Sequence, residues 1–339
     1  MAYKPGEIYF VRESILGSDT VSSFVKIGLV ASPRTSDDRL KEHQTGNPRR
    51  LSNQEVVQTG AVHRVEAMMH RIYAPHRVSG EWFDFKDEAS VLDAIERVKS
   101  LADDVASFTP IFDEALALES CRVADDAVAL PATPALEALA LRRSIAAGKL
   151  ALCKEVENTI KGKFVAAIAA GADVKGAAAE KEIFPAPKFS VTAFKKNHPD
   201  KHLQFLVTTV NYSRSYKFTL NDAPREQLDS DFLGQLHAIE AAVEAVTSAK
   251  DAYKLNDPQL QILQLAALAE WDLDLADAEL KVAIGVSAGI EGLCTWLGKD
   301  SKSSKFDVGR FAEEEPDLFV EYTLTRSSFK RLEITRKKN

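Results

Sequence analysis

The stretch Val25–Leu51, VKIGLVASPRTSDDRLKEHQTGNPRRL, decides how the first part of this chain is read. It opens as a short apolar strand containing Gly28, passes through a polar turn, and starts a helix carrying Arg39, Lys41 and His43. Ser36 is placed to cap that helix, and Asp37 and Asp38 suit its positive N-terminal dipole. Upstream, GEIYFVRES and SFVKIGLVA are β-branched and aromatic runs separated by a Gly-Ser-Asp turn, the pattern of a β-hairpin. Downstream, Leu51–Gly60 predicts a third strand, and Ala61–Tyr73 a helix with Val62, Val65, Met69 and Ile72 on one face. EWFDF predicts a short strand and ASVLDAIERVKSLADDV an amphipathic closing helix. A mixed α and β unit over residues 1–105 follows.

Bulk properties bound what such a unit can belong to. At 339 residues, two or three domains are expected. A hydrophobic fraction of 45% and a charged fraction of 27% fit a soluble globular protein, and no apolar run is long enough to span a bilayer, so no membrane partner is expected. The first residues, MAYKPGEIYF, lack a secretory signal, and Cys121, Cys153 and Cys294 are few and scattered. A reduced cytoplasmic setting is the expectation. Net charge is −7, but residues 1–100 hold 14 basic and 14 acidic side chains, so the acidity lies in the remaining 29 against 36. Phosphate contact depends on local clustering, and a DNA partner is therefore permitted.

Beyond about residue 110 the texture turns to alanine- and leucine-rich helices, over Leu136–Ala170 and Gln227–Ala283, with a break expected at Asn256-Asp257-Pro258. Strand regions are expected over Gln204–Leu220 and Leu318–Ile334. KFSVTAFKKNHP at 188–199 and KFDVGRFAEEEP at 305–316 match at a common offset of 117 residues. Each follows long helices and precedes an aromatic strand region. The expectation is a tandem duplication of a helical hairpin plus small β cap, at 110–222 and 225–339, the second with a basic tail.

The ordered set GEIYF, VKIG, DDRLKEH, VEAMMH and GEWF, with QTGNP between the third and fourth, resembles the GIY-YIG nuclease superfamily, in its phage and meiotically up-regulated branch. The likeness covers residues 5–86 and implies an α+β domain with a small antiparallel sheet flanked by helices. It also implies in-line phosphodiester hydrolysis, which needs an activated water, charge neutralisation at phosphorus and a stabilised leaving oxygen. On this resemblance Tyr9 lies at the reacting water or phosphate. Lys26 stands where the family often has tyrosine, placed to lower the Tyr9 pKa or hold a phosphate oxygen. Arg39 offers a planar fork to phosphate, and His43 projects from the same helix face. Glu66 matches the family's acidic metal ligand, for Mg²⁺ or Mn²⁺. His70, one turn on, is placed to orient Glu66 or touch phosphate. Glu81 belongs to the branch pattern without an evident role, and Gly28 permits close approach of backbone or phosphate. Arg49 and Arg50 offer two loop cations. The family's usual asparagine near the domain end has no match.

Each residue also has a plain structural reading. Tyr9 and Lys26 can border a hairpin; Arg39 and His43 can form a solvated helix face; Glu66 and His70 can be an i,i+4 hydrogen-bonded pair, or half of a zinc site for which the nearby sequence offers no third ligand. The functional case rests on their combination.

The stretch from Leu280 to Tyr322 is similar to the tail behind YqaJ-type phage recombinase nucleases, through Leu280, Lys281, Ile284, Gly285, Thr295, Trp296, Phe306, Asp307, Phe311, Pro316 and Tyr322. It implies an accessory module for assembly or for holding DNA. The terminal cations Lys330, Arg331, Arg336, Lys337 and Lys338 suit DNA, and apolar helix stripes suit a homo-oligomer. The expectation is a metal-dependent DNA endonuclease in a phage, mobile-element or anti-phage setting. The alternative is a catalytically silent DNA-binding or scaffold protein.

Overall fold

In a computed structural model of the chain, residues 4–15, 20–124, 126–174, 176–219 and 222–334 are described. The Gly17-Ser18-Asp19 turn and the tail cations Arg336, Lys337 and Lys338 lie outside the described residues.

The N-terminal unit is a five-stranded antiparallel sheet with helices on both faces. Its elements are β1 (Gly6–Ser14), β2 (Val21–Ala31), α1 (Ser36–Gln44), β3 (Arg50–Thr59), α2 (Val62–Ile72), β4 (Arg77–Ser79), β5 (Trp82–Asp84) and α3 (Glu88–Ser120), with strand order β3-β1-β2-β5-β4. Strand alternation sorts the side chains. Ile8, Phe10, Val25 and Ile27 enter a core with Val65, Met69, Phe83 and Val98, while Tyr9, Val11 and Val30 face the other side with Leu40 of α1. Thr35, not Ser36, caps α1, in a capping box with Asp38; Ser36 is buried and its backbone N–H goes to Glu7 Oε2 at 2.6 Å.

The closing helix runs well past residue 105. α3 is about 50 Å long at 1.5 Å per residue and contains Pro110. Phe112 and Ala115 pack beyond the proline against Leu275 and Ala278, so burial there offsets the hydrogen bond that proline forgoes.

The remaining elements are α4 (Pro134–Ala169), β6 (Ala178–Ile183), β7 (Lys188–Phe189), α5 (Val191–Asn197), α6 (Pro199–Gln204), β8 (Leu206–Phe218), α7 (Ser230–Glu244), α8 (Asn256–Ile284), β9 (Gly289–Ile290), β10 (Cys294–Phe306), α9 (Val308–Glu314), α10 (Pro316–Glu321), β11 (Thr323–Leu324) and β12 (Phe329–Ile334). The helix break expected at Asn256–Pro258 lies earlier, between α7 and α8. Pro258 sits in the first turn of α8, where its fixed φ is no obstacle. Residues 318–321, the start of the strand region expected over Leu318–Ile334, lie instead in α10, before β11 and β12 form.

The 117-residue repeat appears as a reciprocal exchange of backbone pairing. Phe189 pairs with Thr323, and its counterpart Phe306 pairs with Leu206. Ser190 N–H donates to Tyr322 O at 2.8 Å, and the counterpart Asp307 N–H donates to Phe205 O at 2.8 Å. The pairing of β6 with β12 recurs, residue for residue at that offset, between Thr295–Asp300 and Tyr212–Lys217. Phe189, Phe194, Phe205, Phe306, Phe311 and Tyr322 meet in one aromatic core. Each segment thus completes the other's sheets, and 110–222 does not pack apart from 225–339. Of the cations assigned to the tail, Lys330 and Arg331 are strand residues in ion pairs with Glu180 and Glu333.

α8 also anchors the N-terminal unit. Arg64 pairs with Asp274 and lies over the rings of Phe112 and Trp271, and Arg71 pairs with Glu270. A cavity of about 560 Å³ lies between α2 and α8 and holds none of the sequence-predicted site residues. Among the described residues no helix is long and apolar enough to cross a membrane.

Candidate active site

The cluster forms where β2 loses its neighbour. β5 pairs with Phe24–Lys26 and then stops. At the next residue Ile27 N–H donates to Glu81 O at 2.9 Å, and Ile27 O meets His70 Nε2 at 2.9 Å. α2 therefore reaches round the freed edge of β2 and brings Glu66 and His70 toward the face that carries Tyr9, Lys26 and α1.

On that face Tyr9 lies opposite Gly28, with its phenol against the glycine. A Cβ at position 28 would stand 2.5 Å from Tyr9 Oη. What approaches Gly28 is thus the Tyr9 ring, not the phosphate or backbone expected. The Arg39 guanidinium hydrogen-bonds to the same phenol and donates to Glu42 Oε2 at 2.6 Å. His43 Nε2 stands 3.5 Å from Tyr9 Oη. Lys26 forms an ion pair with Glu81, which gives that glutamate a partner the sequence did not supply.

Burial raises the Tyr9 pKa, against the opposing Arg39 hydrogen bond. The expected lowering by Lys26 does not occur, because the ammonium is engaged by Glu81 and desolvation of the phenol dominates. The His43 pKa is lowered by burial and by the charges of Lys26 and Arg39, so its imidazole is neutral near pH 7. His70 is also lowered, by burial first, although its bond to Ile27 O opposes the shift. Glu81 falls below the usual carboxylate range because Lys26 outweighs its burial. Glu66 moves furthest: burial, then the charge of Glu81, raises it to about 7, against the weaker pull of Lys26 and Arg77. His70 Nε2 lies 4.0 Å from Glu66 Oε1, but with its pKa lowered the imidazole gives that carboxyl no formal counter-charge.

Tyr9, Lys26, Arg39, His43, Glu66, His70 and Glu81 are therefore linked by a chain of pairwise electrostatic interactions that runs through Tyr9, Lys26 and Glu81. Arg49 and Arg50 are not part of the group. Arg49 donates to Glu13 Oε1 at 2.7 Å and Arg50 pairs with Ser14, at the far end of β1. The Gln44 side chain holds that loop by bonding Asn47 O at 3.2 Å and Arg49 O at 2.8 Å. Arg77 is the member that sequence reasoning missed. It acts on Glu66 and His70 from β4, and its only sequence signal is its place just upstream of GEWF.

Among the described residues no group of three or more His, Cys, Asp and Glu is placed to hold a metal. A cation here would rely on Glu66 together with water and substrate oxygens. The Glu66 carboxyl fits that role, being crowded by a second acid and short of positive charge.

No curated protein and no solved structure matches the chain. Residues 6–99 match the family model of the T5orf172 domain, a span that holds β1 through most of the N-terminal run of α3 and every residue of the cluster. The N-terminal unit is thus similar to the T5orf172 domain, and is a nuclease-like domain.

Proposed function

We propose that residues 6–99 cut DNA by metal-dependent phosphodiester hydrolysis, in the manner of the GIY-YIG superfamily and on phage or mobile-element DNA. The observation that carries this reading is the convergence of Tyr9, Arg39, His43 and the Lys26–Glu81 pair on one face, with the buried Glu66 carboxyl near Tyr9, Lys26 and Glu81. A divalent ion, Mg²⁺ or Mn²⁺, held by Glu66 would supply charge neutralisation at the phosphate and the leaving oxygen.

The chain's own residues divide the remaining work. Arg39 keeps donors free beyond its bonds to Tyr9 and Glu42, and its fork suits two phosphate oxygens. His43, neutral near pH 7, accepts the proton of the attacking water. Tyr9 stays protonated and acts as a hydrogen-bond donor that positions the water or a phosphate oxygen. His70 is a positioning residue, since its bond to Ile27 O fixes α2, and so Glu66, against the β2 edge.

A second reading, a DNA-binding domain that no longer cuts, draws on the near-complete burial of Tyr9 and the neutralisation of Lys26 by Glu81. A nuclease assay on modified and unmodified phage DNA, titrated with Mg²⁺ and Mn²⁺, separates the two. Cleavage lost in Glu66→Ala and Arg39→Ala supports hydrolysis. Salt-dependent DNA binding without cleavage, unaffected by Glu66→Ala, supports the silent reading.

A further inference from the structure

β8 and β10 form a ribbon paired without interruption from Cys294 opposite Phe218 to Phe306 opposite Leu206. Its two faces differ. One carries Trp296, Tyr216 and Phe218 into a helical core. Alternation puts the odd-numbered residues of both strands on the other face, where all but the half-buried Ser303 are exposed. That face bears Lys217, Lys299 and Lys305; its other positions are hydroxyl residues, the Asn211 amide, Val207 and Leu297, and none is acidic. The ribbon's one acid, Asp300, lies on the opposite face and is bridged to Arg122 at 2.6 Å.

An acid-free cationic face is unexpected on a chain of net charge −7. At the 117-residue offset, Lys299 corresponds to Glu182 and Lys217 to Ile334 in the β6–β12 pair. There the corresponding side turns Ala178, Leu332 and Ile334 toward a helical core, and the opposite side mixes Lys181 and Arg331 with Glu333, so the acid-free lysine face is a feature of β8–β10 and not of the shared register.

We infer that the outward face of the β8–β10 ribbon is a second DNA-contacting surface, laid along the sugar–phosphate backbone of a duplex away from the cleft. The inference rests on the reading that DNA is the partner. Lysines with interspersed hydroxyls and an amide are the donor set that phosphate oxygens accept from. From the Lys217–Thr295 pair to Lys305 is ten residues, about 34 Å, one turn of B-DNA. α3 separates the surface from the cleft: its start packs in the nuclease-like core, and just past its end Val123 N–H bonds Tyr212 Oη at 3.0 Å. The ribbon therefore adds affinity and orientation and takes no part in bond cleavage.

The test uses the full chain in EDTA, binding a fluorescent 30-base-pair duplex by anisotropy from 50 to 200 mM salt. Lys217→Gln, Lys299→Gln and Lys305→Gln are combined. A control combines Lys99→Gln, Lys161→Gln and Lys254→Gln, all of which sit in surface ion pairs. Three lost phosphate contacts flatten the slope of log affinity against log salt by about 2.7, so the wild type loses roughly 40-fold more affinity than the ribbon variant over that range. The control keeps the wild-type slope, and Lys299→Glu alone weakens binding in the same direction, which guards against misfolding of the triple variant. A ribbon variant with the wild-type slope overturns the inference and leaves the active-site reading standing. A wild type that binds no duplex overturns both. A slope change seen only with RNA overturns the assignment of DNA.

Discussion

Replacing Glu66 by glutamine keeps the side chain's shape and removes the ionisable group that the cleft opposes. The folded pKa is about 7 against an ordinary 4.5, raised by burial and then by Glu81. Between those two values the folded state holds a proton that the unfolded state releases, so stability falls as pH rises through this window. The penalty is absent below pH 4.5 and complete above pH 7. The raw difference is about 3 kcal/mol, and solvent access to the partly exposed carboxyl reduces it to about 2 kcal/mol. Glu66→Gln should therefore melt about 4 °C above the wild type at pH 8 and match it at pH 4.5. Mg²⁺ or Mn²⁺ should raise the wild-type melting temperature at pH 8 and leave the variant unmoved, since a ligand stabilises only the form it binds. Differential scanning fluorimetry across pH, with and without cation, reads both effects without any activity assay. Parallel pH–stability curves for the two proteins would refute the desolvated-carboxyl argument and remove its support for a cation at this position.

Three further outcomes follow from the packing. Gly28→Ala places a Cβ 2.5 Å from Tyr9 Oη and should cost about 1–3 kcal/mol, a penalty that vanishes in a Tyr9→Ala background when the pair is measured by denaturant melts. Phe194→Ala and Phe311→Ala occupy equivalent places in the shared aromatic core, so each should cost about 3–5 kcal/mol in urea unfolding, with the two values close to one another. Arg214 stacks on Trp296 at 3.5 Å and donates to the carbonyls of Gly285 and Ser287, both at 2.6 Å; Arg214→Lys should lose about 1–3 kcal/mol and broaden the near-ultraviolet melt.

The sequence carried the N-terminal unit well because its apolar periods and turn residues agree. Val62, Val65, Met69 and Ile72 bury as one helix face, and the first strands pair as a hairpin. Where local pattern and packing compete, the sequence misled. The closing helix, expected over ASVLDAIERVKSLADDV alone, runs on through Pro110 because α8 packs against α3 beyond it. Gly298 to Ser304 of β10 shows no apolar alternation, because that part of the ribbon is mostly exposed on both faces and only β8 makes it a strand. In the cleft, residue types named the members but not their states. Nothing in the letters says that Lys26 is spent on Glu81, or that burial outweighs Arg39 at Tyr9. Those are three-dimensional balances between desolvation and charge.

The repeat explains how one fold can carry two such different surfaces. Reciprocal pairing constrains the residues that face inward: Phe189 with Phe306, Phe194 with Phe311, and Phe205 with Tyr322 must all fill the same aromatic core, so neither copy can change them alone. Outward positions bear no such constraint. At the register point where one ribbon shows Lys299 to solvent, the other shows Glu182, which accepts from Ser328 Oγ at 2.6 Å. Charge can thus separate between the two halves without disturbing the pairing that holds them together. If the cationic ribbon holds DNA, the β6–β12 pair, where Glu180, Glu182 and Glu333 are balanced by Lys181, Lys330 and Arg331, offers the duplex no comparable acid-free face. Substituting Glu180→Lys and Glu182→Lys together should then create a second, competing contact, visible as a steeper salt dependence of binding and as cleavage that no longer rises in step with affinity.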